Sequence, residues 1–410
     1  MRIAYISTED LSKIGGGRVH FRAIANGLAD SGNSVYVVAP QYGTKPWNQF
    51  DSERIIEIRF SVPGKNAFGL FCFELFLFFM LPWFKFKYCW DALLVRGGGP
   101  AVIMGLVFLL GRMLGIRVVL ECNGVTWLEF EGRGFSKLFC EYIKFAAWSQ
   151  AKTASSLIGV TPAICDAYRK LANRSEKVCY PISNGVITEK FPLSHRQSIR
   201  KEYGWDSSKT VLVMPNGFSP WHGLNELIEA ITLLPPRYRA NIRCVLPGDG
   251  EMFADIKERI SKLGLVGCVA LPGQLGREEI YRILAGADVG LLLRPDSTKQ
   301  NISFPGSPLK LFEYFGAGLP VIATSDCYHS KLIPYYSLGV VLESMTPQAL
   351  AQAIIKFADK TAGDFDHQHI LNTAKGEFHW KKVSQRVLAV LQNTEPVLEK
   401  WLQEGSELSK

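Results

Sequence analysis

No two of the nine cysteines form a Cys-x-x-Cys pair. That excludes a cysteine zinc site and a disulfide-stapled secreted framework, and it indicates a reducing compartment. Internal repeats and low-complexity tracts are also lacking, and no signal peptide is expected, since the first residues enter a strand-like run (Arg2–Ser7). Uninterrupted apolar runs of spanning length are missing as well. The longest, Ala67–Phe84, is broken by Glu74 and Pro82, and a crossing helix needs about 20 apolar residues. Strand-like runs of one sheet flank it on both sides, which opposes a span. Two readings remain, a helix buried on a sheet or one partly embedded in a bilayer interface. The second is preferred, because Lys85 and Lys87 follow at once and the Phe- and Trp-bearing stretch 134–152 can lie beside it.

What is present is globular: 47% hydrophobic and 20% charged residues over 410 positions, long enough for two domains of roughly 200 residues each. Net charge is +8, unevenly placed. Residues 1–190 hold 22 Lys/Arg against 15 Asp/Glu, and residues 191–410 hold 24 against 23. A basic first half suits an anionic partner such as a phospholipid surface or acidic substrate.

Val/Ile-rich runs alternate with helical ones along both halves. Strands are expected at 2–7, 34–40, 55–60, 92–97, 118–123, 156–161 and 178–183, then at 210–216, 242–248, 269–273, 289–294, 321–325 and 339–342. The runs are apolar on both faces, as in parallel sheets covered by helices. The expected fold class is therefore α/β, two Rossmann-like doubly wound domains facing a central cleft: 1–190, 191–376, and a returning C-terminal helix in 377–410 whose end frays after about 395.

Gly15-Gly16-Gly17 opens a helix after the first strand, but His20 stands where a dinucleotide motif needs its third glycine. Strand two ends without an acidic residue for a ribose, so an NAD enzyme is not expected. The loop's bare amides can still approach a phosphate or sugar. Asn216–Gly223 sets His222 between glycines at another helix start. In 303–326, Ser307 is the expected N-cap and Pro308 the first helical residue. Gly316 or Gly318 then stops the helix. Lys310 in the first turn favours an anion there, and Glu313 lies near the same face, within reach of a ligand's hydroxyls.

Asn184-Gly185-Val186, Pro215–Gly223, Pro247-Gly248-Asp249-Gly250 and Ser307–Thr324, in that order, resemble the GT-B glycosyltransferases of family 4. The resemblance implies transfer of a sugar from a nucleotide-sugar with retained anomeric configuration and no metal or other cofactor. It implies that Glu313, the second glutamate of a Glu-x7-Glu motif, holds the ribose. Pro305 stands at the first glutamate, and Gly217 and His222 stand at the family's basic pair. Positive charge then comes from His222, Lys310, Arg294 and the helix tip formed by Gly306, Ser307 and Leu309. Gly248 and Asp249 fall where the nucleoside packs, and Gly15, Gly16 and Gly17 face diphosphate and sugar. At the end of the fifth strand, Glu121, Asn123 and Glu129 are candidates to steer the acceptor, Glu121 being equally compatible with a buried structural role. The expected acceptor is lipid-linked or an oligosaccharide in surface polysaccharide or lipopolysaccharide assembly. The expected location is the cytoplasm, peripheral on the inner membrane face. Nucleic-acid binding is not expected, for want of a basic-aromatic module. The alternatives are a non-catalytic nucleotide-sugar-binding protein or a GT-B enzyme of another reaction, such as an epimerase.

Overall fold

Thirteen strands form two all-parallel sheets in the computed structural model, which describes the chain except residues 13–14, 44–46, 48–49, 98, 296–305, 326–328, 362, 364 and 408–410. The strands are β1 (Arg2–Ser7), β2 (Ser34–Gln41), β3 (Ile55–Ser61), β4 (Ala92–Gly97), β5 (Arg117–Cys122), β6 (Ser156–Gly159), β7 (Cys179–Pro181), β8 (Thr210–Val213), β9 (Ile242–Val245), β10 (Val269–Ala270), β11 (Val289–Leu292), β12 (Val321–Thr324) and β13 (Gly339–Leu342). Every expected strand is found. Those of the second half except β13 end earlier than the apolar runs, because the last residues of each run turn into loops.

The chain divides into two compact units, one of Met1–Gly185, Phe304–Ser307 and Trp380–Lys410, the other of Val186–Ser303 and Pro308–His379. In the first, the strand order is β3-β2-β1-β4-β5-β6-β7; in the second, β10-β9-β8-β11-β12-β13. Each sheet is wound outward, then resumes on the other side of its first strand. The crevices where such folds bind ligands therefore open beyond the carboxyl ends of β1 and β4, and of β8 and β11. Central strands are buried throughout, Ile3 to Ile6 being inaccessible, because helices cover both faces. The edge strand β3 is only partly buried.

The apolar run forms the helix Ala67–Tyr88, capped by the Asn66 side chain, which accepts from the Gly69 amide at 2.8 Å. It is the crossover from β3 back to β4. One side, with Leu70, Phe73, Leu77, Leu81 and Phe84, enters the core of the first unit. The other carries exposed Phe68, Phe71, Phe79, Trp83 and Phe86. By length and composition this helix could cross a membrane, yet its inner side is committed to the sheet. Helices Met104–Met113 and Lys137–Thr153 pack alongside it in turn. They add exposed Leu106, Leu109, Met113, Leu138, Phe145 and Trp148.

The C-terminal run is not one helix from 377. His367–Glu377 ends, the chain breaks at 378–379, and Trp380–Leu391 follows. The latter packs on helix Gly16–Asp30. Nor does the described chain fray between 395 and 407. The helix Lys400–Glu407 is anchored by Glu399, only 1% exposed, which accepts from Ser183 Oγ at 2.6 Å and from Trp401 Nε1 at 3.1 Å.

Candidate functional site

In the second unit, the helix Leu309–Gly316 begins one residue later than expected. Pro308 is its N-cap, with no side-chain cap bond. Ser307 is therefore not the cap; its carbonyl accepts from Asn184 Nδ2 at 2.6 Å within the first unit. The stop is as expected, with Gly318 left-handed at φ +69°. An uncapped start leaves amide hydrogens facing outward with their partial positive charge.

Lys310 lies in that first turn. Burial lowers its pKa to about 8 against the opposing pull of Glu313. His222, in the short turn Pro220–His222 after β8, is lowered to about 3, first by burial and then by the Lys310 charge. The positive charge expected of His222 is thus absent near neutrality; the ring is a neutral donor. Its Nδ1 lies 2.8 Å from Ser219 Oγ. With that hydroxyl donating, the ring hydrogen sits on Nε2.

Glu313 is buried, and Arg277 Nη2 donates to its Oε1 at 2.5 Å. Arg277 begins the helix Arg277–Gly286, also donates to the Tyr281 hydroxyl at 2.8 Å, and stacks on that ring. Sequence reasoning missed Arg277. Thirty-six residues separate it from Glu313, and no local spacing signals the pair.

Beside them the loops after β8 and β9 interlock. Asn216 N donates to Pro247 O and Met252 N to Phe218 O, both at 3.0 Å. Gly248 has φ +136°, and a Cβ there would fall 1.8 Å from the Asn216 carbonyl oxygen. Glycine is thus required by backbone contact whatever binds nearby. Asp249 accepts from the Gly250 amide. A Cβ on Gly217 would meet only His222 Cε1, at 4.0 Å. Arg294 follows β11, half-buried, while Gly306 precedes the helix start; Pro305 lies outside the described residues.

In the first unit, Gly15 caps the helix Gly16–Asp30 without a side-chain bond. At the end of β5, Glu121 is 2% exposed. It accepts from Tyr5 Oη at 2.6 Å and Asn123 Nδ2 at 3.0 Å, and it is paired with His20 Nε2. Burial opposes its charge, but His20, Arg96 and the Tyr5 hydroxyl hold its pKa well below the ordinary carboxylate range. The carboxylate of Glu121 is buried and bonded to Tyr5, His20 and Asn123. His20 continues the chain of bonds, its Nδ1 lying 2.5 Å from Asn184 Oδ1. The sequence had marked His20 only as the residue that spoils a glycine motif. Glu129 is half-buried on the short helix Thr126–Gly132, and burial raises its pKa. Among the described residues no three His, Cys, Asp or Glu side chains gather as metal ligands.

Two doubly wound parallel units, each opening a crevice beside an uncapped helix start, define the GT-B architecture. Solved structures share it. Anabaena HepE in complex with UDP superposes with a TM-score of 0.72 at 17% identity, over 96% of this chain and 100% of that one. A glycosyltransferase from Rickettsia africae gives 0.73 at 17%, over 96% and 98%. WaaG, a glycosyltransferase involved in lipopolysaccharide biosynthesis, gives 0.67 at 17%, over 95% and 99%.

Two family models match in sequence, Glycosyltransferase Family 4 over residues 14–190 and Glycosyl transferases group 1 over residues 195–375. The chain belongs to the group 1 glycosyltransferases of the family 4 type. Among curated relatives, the amylovoran biosynthesis glycosyltransferase AmsK of Erwinia amylovora is 31% identical over 140 residues, 34% of each chain. The chitobiosyldiphosphodolichol beta-mannosyltransferase of Yarrowia lipolytica is 24% identical over 199 residues, 45% of this chain and 41% of its own. The chain thus spans about a third to two-fifths of the length of these relatives.

Proposed function

We propose that this protein transfers a sugar from a nucleotide-sugar to a lipid-linked acceptor, with retention at the anomeric carbon and without a metal. It would work at the inner face of a membrane, in the assembly of surface polysaccharide or lipopolysaccharide. The observation that carries the reading is Lys310 and Glu313 on one turn of an uncapped helix, with neutral His222 beside them. Cleaving the sugar–phosphate bond builds negative charge on the departing diphosphate. Helix amides, the Lys310 ammonium and the His222 N–H are fixed donors for that charge, and preorganised donors are the largest source of rate in such sites. The Glu313 carboxylate suits a ribose diol. The UDP named in the HepE complex and the diphosphodolichol named in the Yarrowia relative support a UDP-sugar and a lipid diphosphate as the first donor and acceptor to try.

The membrane part of the reading draws on the outer side of the three adjacent helices. Phe79, Trp83, Phe86, Leu109, Met113, Leu138 and Phe145 stand exposed there. Lys87 lies 4.4 Å over Trp83, and Lys85, Arg112, Lys137 and Lys144 are on the same helices. Such a face suits an anionic bilayer.

A thermal-shift panel of UDP-, GDP-, ADP- and CMP-sugars tests the donor, since a bound one raises the midpoint by linkage. No shift with any of them removes the reading. Turnover unchanged by EDTA is expected, and co-sedimentation with anionic vesicles should weaken with salt and with Phe79→Ser/Phe86→Ser. A second reading, inversion, rests on the β-linkage named in the Yarrowia relative. The anomeric configuration of the product decides between the two.

A further inference from the structure

A cavity of about 500 Å³ opens at the amino ends of β8, β11 and β12 in the second unit, where Thr210, Val289 and Pro320 line it. Its size is within the range of small-molecule sites, about 300–1,000 Å³. The strands of this sheet are all parallel, so the cavity lies on the edge away from the carboxyl ends where the crevice opens. On the order of 10 Å of strand separates the two edges. The helix Arg196–Glu202, the end of the helix Pro347–Ala358 and the start of His367–Glu377 supply the walls.

Four cations line the cavity, Arg196, Arg200, Lys209 and Lys360, against one carboxylate, Asp288. Both arginines are already engaged. Arg196 donates to Asp288 Oδ1 and to the Ala285 and Ala287 carbonyls. Arg200 donates to Asp288 Oδ2 and to the Gly286, Asp206 and Lys209 carbonyls. The lysines differ. Lys209 Nζ donates once, to Ala240 O at 2.8 Å, and keeps two further N–H groups. Lys360 makes no side-chain bond among the described residues, nor do the hydroxyls of Ser207 and Thr210. Lys360 also holds a left-handed φ of +57° past its helix, a place usually left to glycine or asparagine. The acidic neighbours in sequence are bonded elsewhere: Asp206 accepts from Ser208 N at 2.8 Å, Asp359 from Tyr238 Oη at 2.6 Å and Asp366 from Gln368 N at 2.8 Å. Phe357 and Phe365, stacked at 5.5 Å with planes 18° apart, give the cavity an aromatic wall. Unengaged ammonium groups beside open hydroxyls suit a phosphate dianion, and an aromatic wall suits a flat ring.

We propose that this cavity is a second ligand site of the second unit, for a phosphate monoester that carries a flat ring, such as a nucleoside monophosphate. Lys209 and Lys360 hold the phosphate with the Ser207 and Thr210 hydroxyls, and the ring packs on the Phe357–Phe365 wall. Asp288 keeps the two arginines in place and is not displaced. The site does not depend on the transferase reading, since it uses none of the residues at the crevice.

Phenyl phosphate and inorganic phosphate, titrated calorimetrically into the full chain, test it. Phenyl phosphate should bind several-fold more tightly than inorganic phosphate, and Phe365→Leu should reduce that advantage. The double variant Lys209→Ala/Lys360→Ala should weaken phenyl phosphate on the order of tenfold or more, while Lys310→Met should leave it unchanged. Equal affinity for the two probes, or an isotherm that ignores the double variant, overturns the proposal. So does binding lost in Lys310→Met and kept in the double variant, which would place the probe at the crevice. Should the double variant fail to fold, the His367 ring resonance of the wild type decides: phenyl phosphate should shift it, and an unmoved resonance at saturation overturns the site. A chain that transfers sugar yet fails these tests loses this site and keeps its function. One that passes them but responds to no nucleotide-sugar keeps the site and loses the transferase reading.

Discussion

Arg277 and Glu313 meet Nη2 to Oε1 at 2.5 Å, although one begins a helix and the other sits within a second helix 36 residues on. The contact holds the carboxylate through Oε1. Glu313→Gln keeps the shape but removes the charge that makes its hydrogen bonds strong. Nucleotide affinity should fall about tenfold, the worth of one charge-assisted bond. Arg277→Met should weaken binding too, by releasing the carboxylate. Calorimetry with the free nucleoside diphosphate measures both, and wild-type affinity in Glu313→Gln would end the ribose assignment.

Lys310 with a pKa of about 8 and His222 with one of about 3 give the reaction a defined pH profile. Lys310 carries its charge below about 8 and loses it above. Donor KM should therefore rise as pH climbs through 8, and no inflection from His222 should fall between 5 and 7. Lys310→Ala or His222→Ala should each lower turnover about a hundredfold with unchanged circular dichroism. Full turnover in both removes them from the chemistry.

Glu74, inside the helix Ala67–Tyr88, accepts from the Ile103 amide at 2.6 Å, at the start of the neighbouring helix. Burial nonetheless raises its pKa to about 7. Below about 4.5 the carboxyl is protonated folded or unfolded. Between 4.5 and 7 the unfolded chain gives up its proton first, so stability falls with rising pH and stays lower above 7. The shift corresponds to about 3 kcal/mol. Glu74→Gln should abolish that slope in urea unfolding from pH 4.5 to 8; an identical slope refutes it.

Gly248→Ala should destabilise the chain by about 2–4 kcal/mol, since it adds a clash to a positive φ. Gly217→Ala meets nothing closer than 4.0 Å and should fold normally while weakening ligand approach. Equal urea midpoints for the two would contradict the interlocked loops.

The sheets were legible because parallel strands buried on both faces read as continuous apolar runs, and turn residues punctuate them. Glu313, Lys310 and the helix stop at Gly318 were legible because a helix brings residues three apart to one side. The sequence alone determined the two α/β units and the family resemblance. Tertiary structure decided what each carboxylate touches. Glu121, equally compatible in sequence with an acceptor or a buried role, has Tyr5, His20 and Asn123 around it from β1, a helix and a loop. Arg277 and Arg96 carried no local signal, for both act on partners brought near by sheet topology. The outer face of Ala67–Tyr88 was decided in the same way. An all-round apolar helix does not announce which side it buries, and only its packing on β4's sheet leaves Phe79 and Phe86 outside.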